Sequence, residues 1–99
     1  MAYTQARVEL HDANGGDYTR LHAAMNAENF QQIFKTTSAI CELPNGEYCS
    51  FFFDDPDLAM AAAKRAAAKV VKSFEITLLV GDVSNSRDYN LQCTPRPNS

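Results

Sequence analysis

The chain opens with a period of two. From Tyr3 to Leu10, Ala6, Val8 and Leu10 fall on one side and Gln5, Arg7 and Glu9 on the other, the alternation of a strand with one buried face. Asn14-Gly15-Gly16 breaks it. Asp17 then suits the N-cap of a helix reaching about Asn29, with Tyr18, Leu21 and Met25 as its apolar stripe. Phe30 to Ile40 mixes aromatic and β-branched residues and predicts a second strand. Leu43-Pro44-Asn45-Gly46-Glu47 predicts a turn, because Asn-Gly accepts the positive φ values a hairpin needs. Tyr48 to Phe53 predicts a third strand.

Asp54-Asp55-Pro56-Asp57 is the clearest helix start: a carboxylate caps, proline fits the first helical position, and acidic groups favour the positive end of the dipole. The alanine-rich helix that follows is predicted to about Lys72, with Leu58, Ala62, Ala66 and Val70 at spacing four on one face. Phe74, Ile76, Leu78 and Val80 alternate with Glu75, Thr77 and Leu79 as a fourth strand. The order predicts an α+β, ferredoxin-like βαββαβ domain, a four-stranded antiparallel sheet with two helices on one face. Residues 1–83 form that single domain. Residues 84–99 read as a polar C-terminal tail ending in Pro95-Arg96-Pro97-Asn98-Ser99, with a short edge strand around Tyr89 to Cys93 as the alternative.

Such a fold leaves one sheet face uncovered. With Ala6, Val8 and Leu10 toward the helices, Arg7 faces outward. Cys49, Phe51 and Phe53 are then assigned inward, and Tyr48, Ser50 and Phe52 outward. Tyr48 and Phe52 beside Arg7 suit either a sheet-to-sheet homodimer interface or the stacking of unpaired bases. A slip of one residue inverts the assignment.

Composition narrows the classes. With 99 residues, 45% hydrophobic and 21% charged, this is one globular domain. A net charge of −3 argues against coating nucleic acid or anionic membrane by bulk electrostatics. No apolar run is long enough for a membrane span, and Met1-Ala2-Tyr3-Thr4-Gln5-Ala6-Arg7 lacks a signal-peptide pattern. Three widely spaced cysteines, Cys41, Cys49 and Cys93, then read as reduced thiols in a cytoplasmic protein, with Cys49 in the core. No C-x-x-C, H-E-x-x-H, Walker or G-x-S-x-G element is present, and no cofactor or metal is assigned.

Candidate chemistry gathers where the first strand meets the first helix. His11 and Asp12 end the strand, and Arg20 and His22 follow on the helix. Histidine suits proton transfer near neutral pH, arginine a developing phosphate charge, and aspartate a divalent cation. Each also has an ordinary role: Asp12 as a turn former, His22 at the border of the buried stripe, Arg20 in solvent. Helix capping accounts for Asp54, Asp55 and Asp57.

The stretch Ala6-Arg7-Val8-Glu9-Leu10-His11-Asp12-Ala13, then Asp17-Tyr18-Thr19-Arg20-Leu21-His22-Ala23-Ala24-Met25, resembles the opening of the GhoS family. Leu43-Pro44-Asn45-Gly46-Glu47-Tyr48, the Ala61-Ala62-Ala63-Lys64 run and the apolar last strand are similar too, so that the resemblance covers residues 3–83. GhoS proteins are antitoxins of type V toxin-antitoxin systems, with a ferredoxin-like fold similar to the small CRISPR-associated endoribonuclease subunit. The resemblance implies sequence-selective cleavage of a toxin messenger RNA. It places basic residues of the first helix at Arg20 and His22, and an acidic residue at Asp12. Histidine in place of a second arginine turns a permanent charge into a titratable one.

The leading expectation is therefore an endoribonuclease. His22 or His11 takes a proton, and Arg20 or Arg7 steadies the phosphate. In a metal-dependent version Asp12 is the ligand, paired with its copy across a homodimer axis. The alternative is a non-enzymatic ferredoxin-like homodimer, such as a phage or mobile-element accessory protein, that meets a protein partner through Tyr48 or Phe52. RNA binding without cleavage is the third reading. Neither membrane nor DNA is expected as a partner.

Overall fold

The structure, a computed structural model, describes residues 2–35, 39–82 and 93–95. In chain order it contains β1 (Ala2–Leu10), α1 (Gly15–Ala27), β2 (Ile33–Lys35), β3 (Ala39–Glu42), β4 (Glu47–Ser50), α2 (Pro56–Ala68), β5 (Phe74–Asp82) and β6 (Cys93–Pro95). This is a mixed α+β fold with two helices and antiparallel sheets.

Both helices begin where local chemistry satisfies their free N–H groups. The cap of α1 is Asn14 and not Asp17. Asp17 N–H donates to Asn14 Oδ1 at 3.0 Å, and Asn14 N–H donates to Asp17 Oδ2 at 3.1 Å. This reciprocal capping box makes Asn14, three residues before Asp17, the cap, so Gly15 and Gly16 lie in the first turn of the helix. In α2, Asp57 N–H donates to the Asp55 carboxylate at 2.8 Å, and Pro56 opens the helix as expected. This helix stops at Ala68, short of Lys72. Its buried stripe is Ala59, Ala62, Ala63, Ala66 and Ala67, at i, i+3, i+4, i+7 and i+8. Leu58, at spacing four from Ala62, is 62% exposed at the start of the helix.

Five small side chains let α2 lie close against the sheet and α1. Ala6, Val8 and Leu10 of β1 meet Leu21 and Met25 of α1 and the alanines of α2 in one buried cluster. Phe74, Ile76 and Leu78 pack against it from β5, opposite Leu10, Val8 and Ala6 in register.

The four-stranded sheet expected from the sequence is replaced by two three-stranded sheets, ordered β4-β1-β5 and β2-β3-β6. The cause lies in Phe30 to Ile40, which does not run as one strand. Its first part, β2, pairs antiparallel with β3, Ile33 opposite Glu42 and Lys35 opposite Ile40. Among the described residues one isolated antiparallel bridge joins the backbones of the two sheets, between Gln31 and Cys49, with Gln31 N–H to Cys49 O at 2.8 Å and Cys49 N–H to Gln31 O at 2.7 Å.

The third predicted strand is also corrected. β4 ends at Ser50, and Phe51 to Phe53 lie in a bend beyond it. Its faces are inverted. Tyr48 stands opposite Ala6 and so points to the helices, 1% exposed, while Cys49 stands opposite Gln5 on the other face. Cys49 is still buried, and Tyr3 of the same face packs edge-on against Phe34 with centroids 4.8 Å apart.

Gly46 makes the turn before β4. Its φ is +87, and a Cβ there would come 2.7 Å from Val8 O. The turn also donates structure back to β1: Val8 N–H reaches Gly46 O at 2.7 Å.

The polar end of the chain supplies β6, which pairs with β3 and includes Pro95, so the predicted tail is ordered there. Residues 83–92 and 96–99, including most of the alternative strand at Tyr89 to Cys93, lie outside the described residues. Cys41 is disulfide-bonded and stands opposite Cys93 in the β3–β6 register. This corrects the expectation of three reduced thiols and removes its support for a cytoplasmic location. Cys49 is free, and burial pushes its thiol up to about 12. Among the described residues, no helix is long and apolar enough to cross a membrane.

Candidate functional site

The residues singled out in the sequence are dispersed. Arg7 is exposed on the sheet face away from the helices, opposite Glu47 of β4 and Thr77 of β5. Glu9, opposite Glu75, shares that face. Arg7 is its one cation among the described residues, against three carboxylates, a balance that repels phosphate. His11 is tied down twice: its N–H donates to Ser73 O at 3.0 Å, and its Nδ1 lies 2.6 Å from Ser73 Oγ. Its Nε2 is 3.8 Å from Glu75 Oε1. Asp12 is exposed in the left-handed region, φ 56, as a turn residue. Arg20 pairs with Asp17 one turn earlier on α1. Among the described residues no hydrogen bond or ion pair joins His11, Asp12, Arg20 and His22 to one another, and no three potential metal ligands cluster.

His22 differs from the others. It sits half-buried on α1, and its Nδ1 lies 2.5 Å from Tyr48 Oη. The rings are 5.7 Å apart. The alternation expected for a third strand assigns Tyr48 to an open face, ready for a base or a partner. The structure places it in the core, with only its hydroxyl reaching the histidine. Burial, and to a lesser extent the neighbouring Tyr18, pushes the Tyr48 phenol well above its ordinary value. The phenol therefore keeps its proton, and the bond fixes the imidazole ring through one nitrogen. If Nδ1 carries the histidine proton, Nε2 is left with a free lone pair; in the other tautomer Nε2 is a donor.

A surface hollow of about 390 Å³ opens beside this pair, lined by His22, Ala23, Asn26, Phe30, Gln31, Gln32 and Ile33. Asn26 follows His22 by four positions, so both side chains occupy one helix face. Gln32 is held in place by bonds from its Nε2 to Leu43 O at 3.1 Å and Asn45 Oδ1 at 3.2 Å. None of the lining residues carries a fixed charge. A second hollow lies across the Gln31–Cys49 bridge and shares Asn26 and Gln31 with the first.

Asn26, Gln31 and Lys35 were not singled out in the sequence. The spacing from His22 to Asn26 was the one signal available, and by itself it marks only a polar helix face. Compared with protein-family models, curated proteins and solved structures, the chain matches none of them.

Proposed function

We propose that the chain is a GhoS-like endoribonuclease that cuts single-stranded RNA at the His22 hollow. The observation that supports it is the His22–Tyr48 pair: an imidazole held through Nδ1 by a buried phenol, on a residue that lines an open hollow together with Asn26, Gln31 and Gln32. In this reading His22 Nε2 takes the proton of a ribose 2′-hydroxyl. The 2′-oxygen bonds to the adjacent phosphorus, the bond to the 5′-oxygen breaks, and that oxygen takes a proton from solvent. The products are a 2′,3′-cyclic phosphate and a 5′-hydroxyl. Asn26, which lines the same hollow, would donate its amide N–H to the phosphate. The resemblance to GhoS carries the further proposal that the RNA is a toxin message and the protein a cytoplasmic antitoxin. The fold proposal that goes with it is ferredoxin-like: β5, β1, β4 and, through the Gln31–Cys49 bridge, β2 follow one another as in a βαββαβ sheet, with β3 and β6 added beyond.

The test is incubation with a pool of short RNAs in EDTA, followed by sequencing of the ends. Cuts with cyclic-phosphate ends should appear and fall about 10²- to 10⁴-fold in His22→Ala. Undiminished cutting by that variant removes His22 from the reaction. A second reading, RNA binding without cleavage, is favoured by one observation: no charged described residue shares the His22 hollow. It predicts bound and intact RNA in the same assay.

A further inference from the structure

We infer that the second hollow, beyond the Gln31–Cys49 bridge, is a subsite for an unpaired nucleotide: Phe52 stacks the base, Asn26, Asn29 and Gln31 address its edge, and Lys35 meets its phosphate. The inference deepens the proposed function, since it rests on RNA as the ligand and names what the protein selects.

Two exposed aromatic rings stand at this hollow, Phe52 at 66% and Phe51 at 37% exposure. Exposed apolar side chains scattered singly are ordinary, but adjoining ones mark interaction sites, and these two rings are consecutive and line one hollow. Phe52 is not loose. Its N–H donates to the buried Ser50 Oγ at 3.1 Å. Its ring meets Phe53 edge-on, with centroids 5.2 Å apart and an interplanar angle of 89°. Phe53 in turn packs on the fully buried Phe30 at 5.3 Å. The stacking ring is therefore anchored to the core before any ligand arrives, which reduces the ordering cost of binding.

The polar lining fits a base better than it fits a peptide or lipid surface. Asn26, Asn29 and Gln31 each offer a donor and an acceptor on one planar group, the pattern that reads an unpaired base edge. Asn29 is held at φ 70 just past the end of α1, a conformation asparagine tolerates. Lys35 is the one charged residue of the hollow, which measures about 290 Å³ and contains no carboxylate among its lining residues. In a chain with 12 acidic residues and 9 basic ones, that local balance favours an anion. Asn26 and Gln31 line both hollows, so this one neighbours the His22 hollow. A strand lying across both would have one base stacked while a neighbouring ribose stands at the histidine.

The test uses the full chain and fully 2′-O-methylated hexanucleotides, which lack the 2′-hydroxyl and so report binding without cutting. The chain has no tryptophan, so Phe52→Trp introduces a single tryptophan at the stacking position, read by exciting at the red edge where the four tyrosines do not absorb. Its emission should be quenched by the single strands and not by a duplex of the same sequence. Phe52→Ala should weaken binding by roughly 5- to 150-fold, the range found for one base–aromatic stack, and Phe52→Tyr should retain it. Lys35→Ala should lower the slope of log K against log salt by about 0.7. Binding to Phe52→Ala within twofold of the parent, or saturation of Phe52→Trp without quenching, overturns the subsite. So does the absence of binding to any single strand. If the parent cuts unmodified RNA while Phe52→Ala binds normally, only the subsite fails. If Phe52-dependent binding is found and no RNA is cut, the subsite stands and the nuclease reading fails.

Discussion

Replacing Tyr48 by phenylalanine removes one oxygen and leaves the ring that fills the core. The side chain is 1% exposed and its hydroxyl lies 2.5 Å from His22 Nδ1. No cavity opens, so the cost is that of the hydrogen bond, a net of about 0.5–1.5 kcal/mol. His22 is half-buried and water can reach part of its ring, which offsets some of the loss and places the expectation at about 1 kcal/mol. For a domain of this size that corresponds to a fall in Tm of about 4–8 °C. Tyr48→Ala is the wrong probe, because emptying the site would cost about 3–5 kcal/mol and endanger the fold.

Urea titrations of the parent, Tyr48→Phe, His22→Ala and the double variant close a cycle. The expected coupling is about 1 kcal/mol, above the roughly 0.3–0.5 kcal/mol within which independent sites add. A coupling inside that margin would show that the phenol does not hold the imidazole, and the positioning argument would collapse with it. The tautomer provides an independent readout. A base at Nε2 requires the neutral ring to carry its proton on Nδ1, donating to the phenol oxygen. Long-range proton–nitrogen correlation spectra distinguish the two ring nitrogens. A proton found on Nε2 makes His22 a donor to the ligand and refutes its assignment as the base. As a positioning residue, Tyr48 should affect RNA turnover in the phenylalanine variant more than RNA binding.

Gly46→Ala should cost about 1–2 kcal/mol for the left-handed backbone and about 1–3 kcal/mol more for the contact with Val8 O, whereas Gly15→Ala, with nothing within 4 Å, should gain about 0.4–1 kcal/mol; equal urea midpoints for the two would contradict the geometry. Cys49, buried and with its thiol pushed up to about 12, should resist a thiol reagent at neutral pH until the protein unfolds, and rapid labelling of the native state would show that the strand is open. Arg65 donates to both Glu28 oxygens, Nε to Oε2 at 3.2 Å and Nη2 to Oε1 at 2.9 Å. This hydrogen bonding lowers the Glu28 pKa from 4.5. The pair's contribution is therefore present above that value and fades as pH falls through the lowered one. Arg65→Met should lose stability at neutral pH, and the gap to the parent should shrink in acid and in high salt; a gap independent of pH would mean that the side chain acts through packing alone.

The parts of the fold that were legible in the sequence were those decided locally. Alternation along Tyr3 to Leu10 identified the buried face of β1, and Asp55-Pro56 identified the start of α2. The errors fell where pairing decides. Tyr48-Cys49-Ser50-Phe51-Phe52-Phe53 contains no alternation of apolar and polar types, so no period assigns its faces; the pairing of Ala6 with Tyr48 does. Phe30 to Ile40 carries no glycine or proline, and nothing in its composition announces that β2 and β3 pair with each other. The site followed the same division. His22 and Phe52 stood out as residue types. Asn26, Gln31 and Lys35 did not, because the two hollows exist only where the Gln31–Cys49 bridge joins the sheets, a contact between segments 18 positions apart. The pairing of β3 with β6, near the end of the chain, is non-local in the same way.

The acidic balance of the chain can be reconciled with an RNA ligand by asking where the carboxylates lie. Asp17 and Glu28 face Arg20 and Arg65. Asp55 and Asp57 occupy the start of α2. Glu9, Glu47 and Glu75 share the sheet face with Arg7. None lines either hollow. The same distribution sets the character of the binding. With one lysine at the subsite, counterion release contributes a salt slope near the roughly 0.7 expected for one contact to a single strand, far from the steep dependence of a basic RNA-coating protein. The net charge of −3 slows encounter instead of steering it. On the proposed reading affinity would come from stacking on Phe52 and from amide contacts, short-range interactions that require bases free of pairing. A shallow salt slope together with strong discrimination against duplex is the combination this charge map demands; a steep slope would place the RNA on lysines and arginines elsewhere, such as Lys64, Lys69 and Lys72 on and just beyond α2.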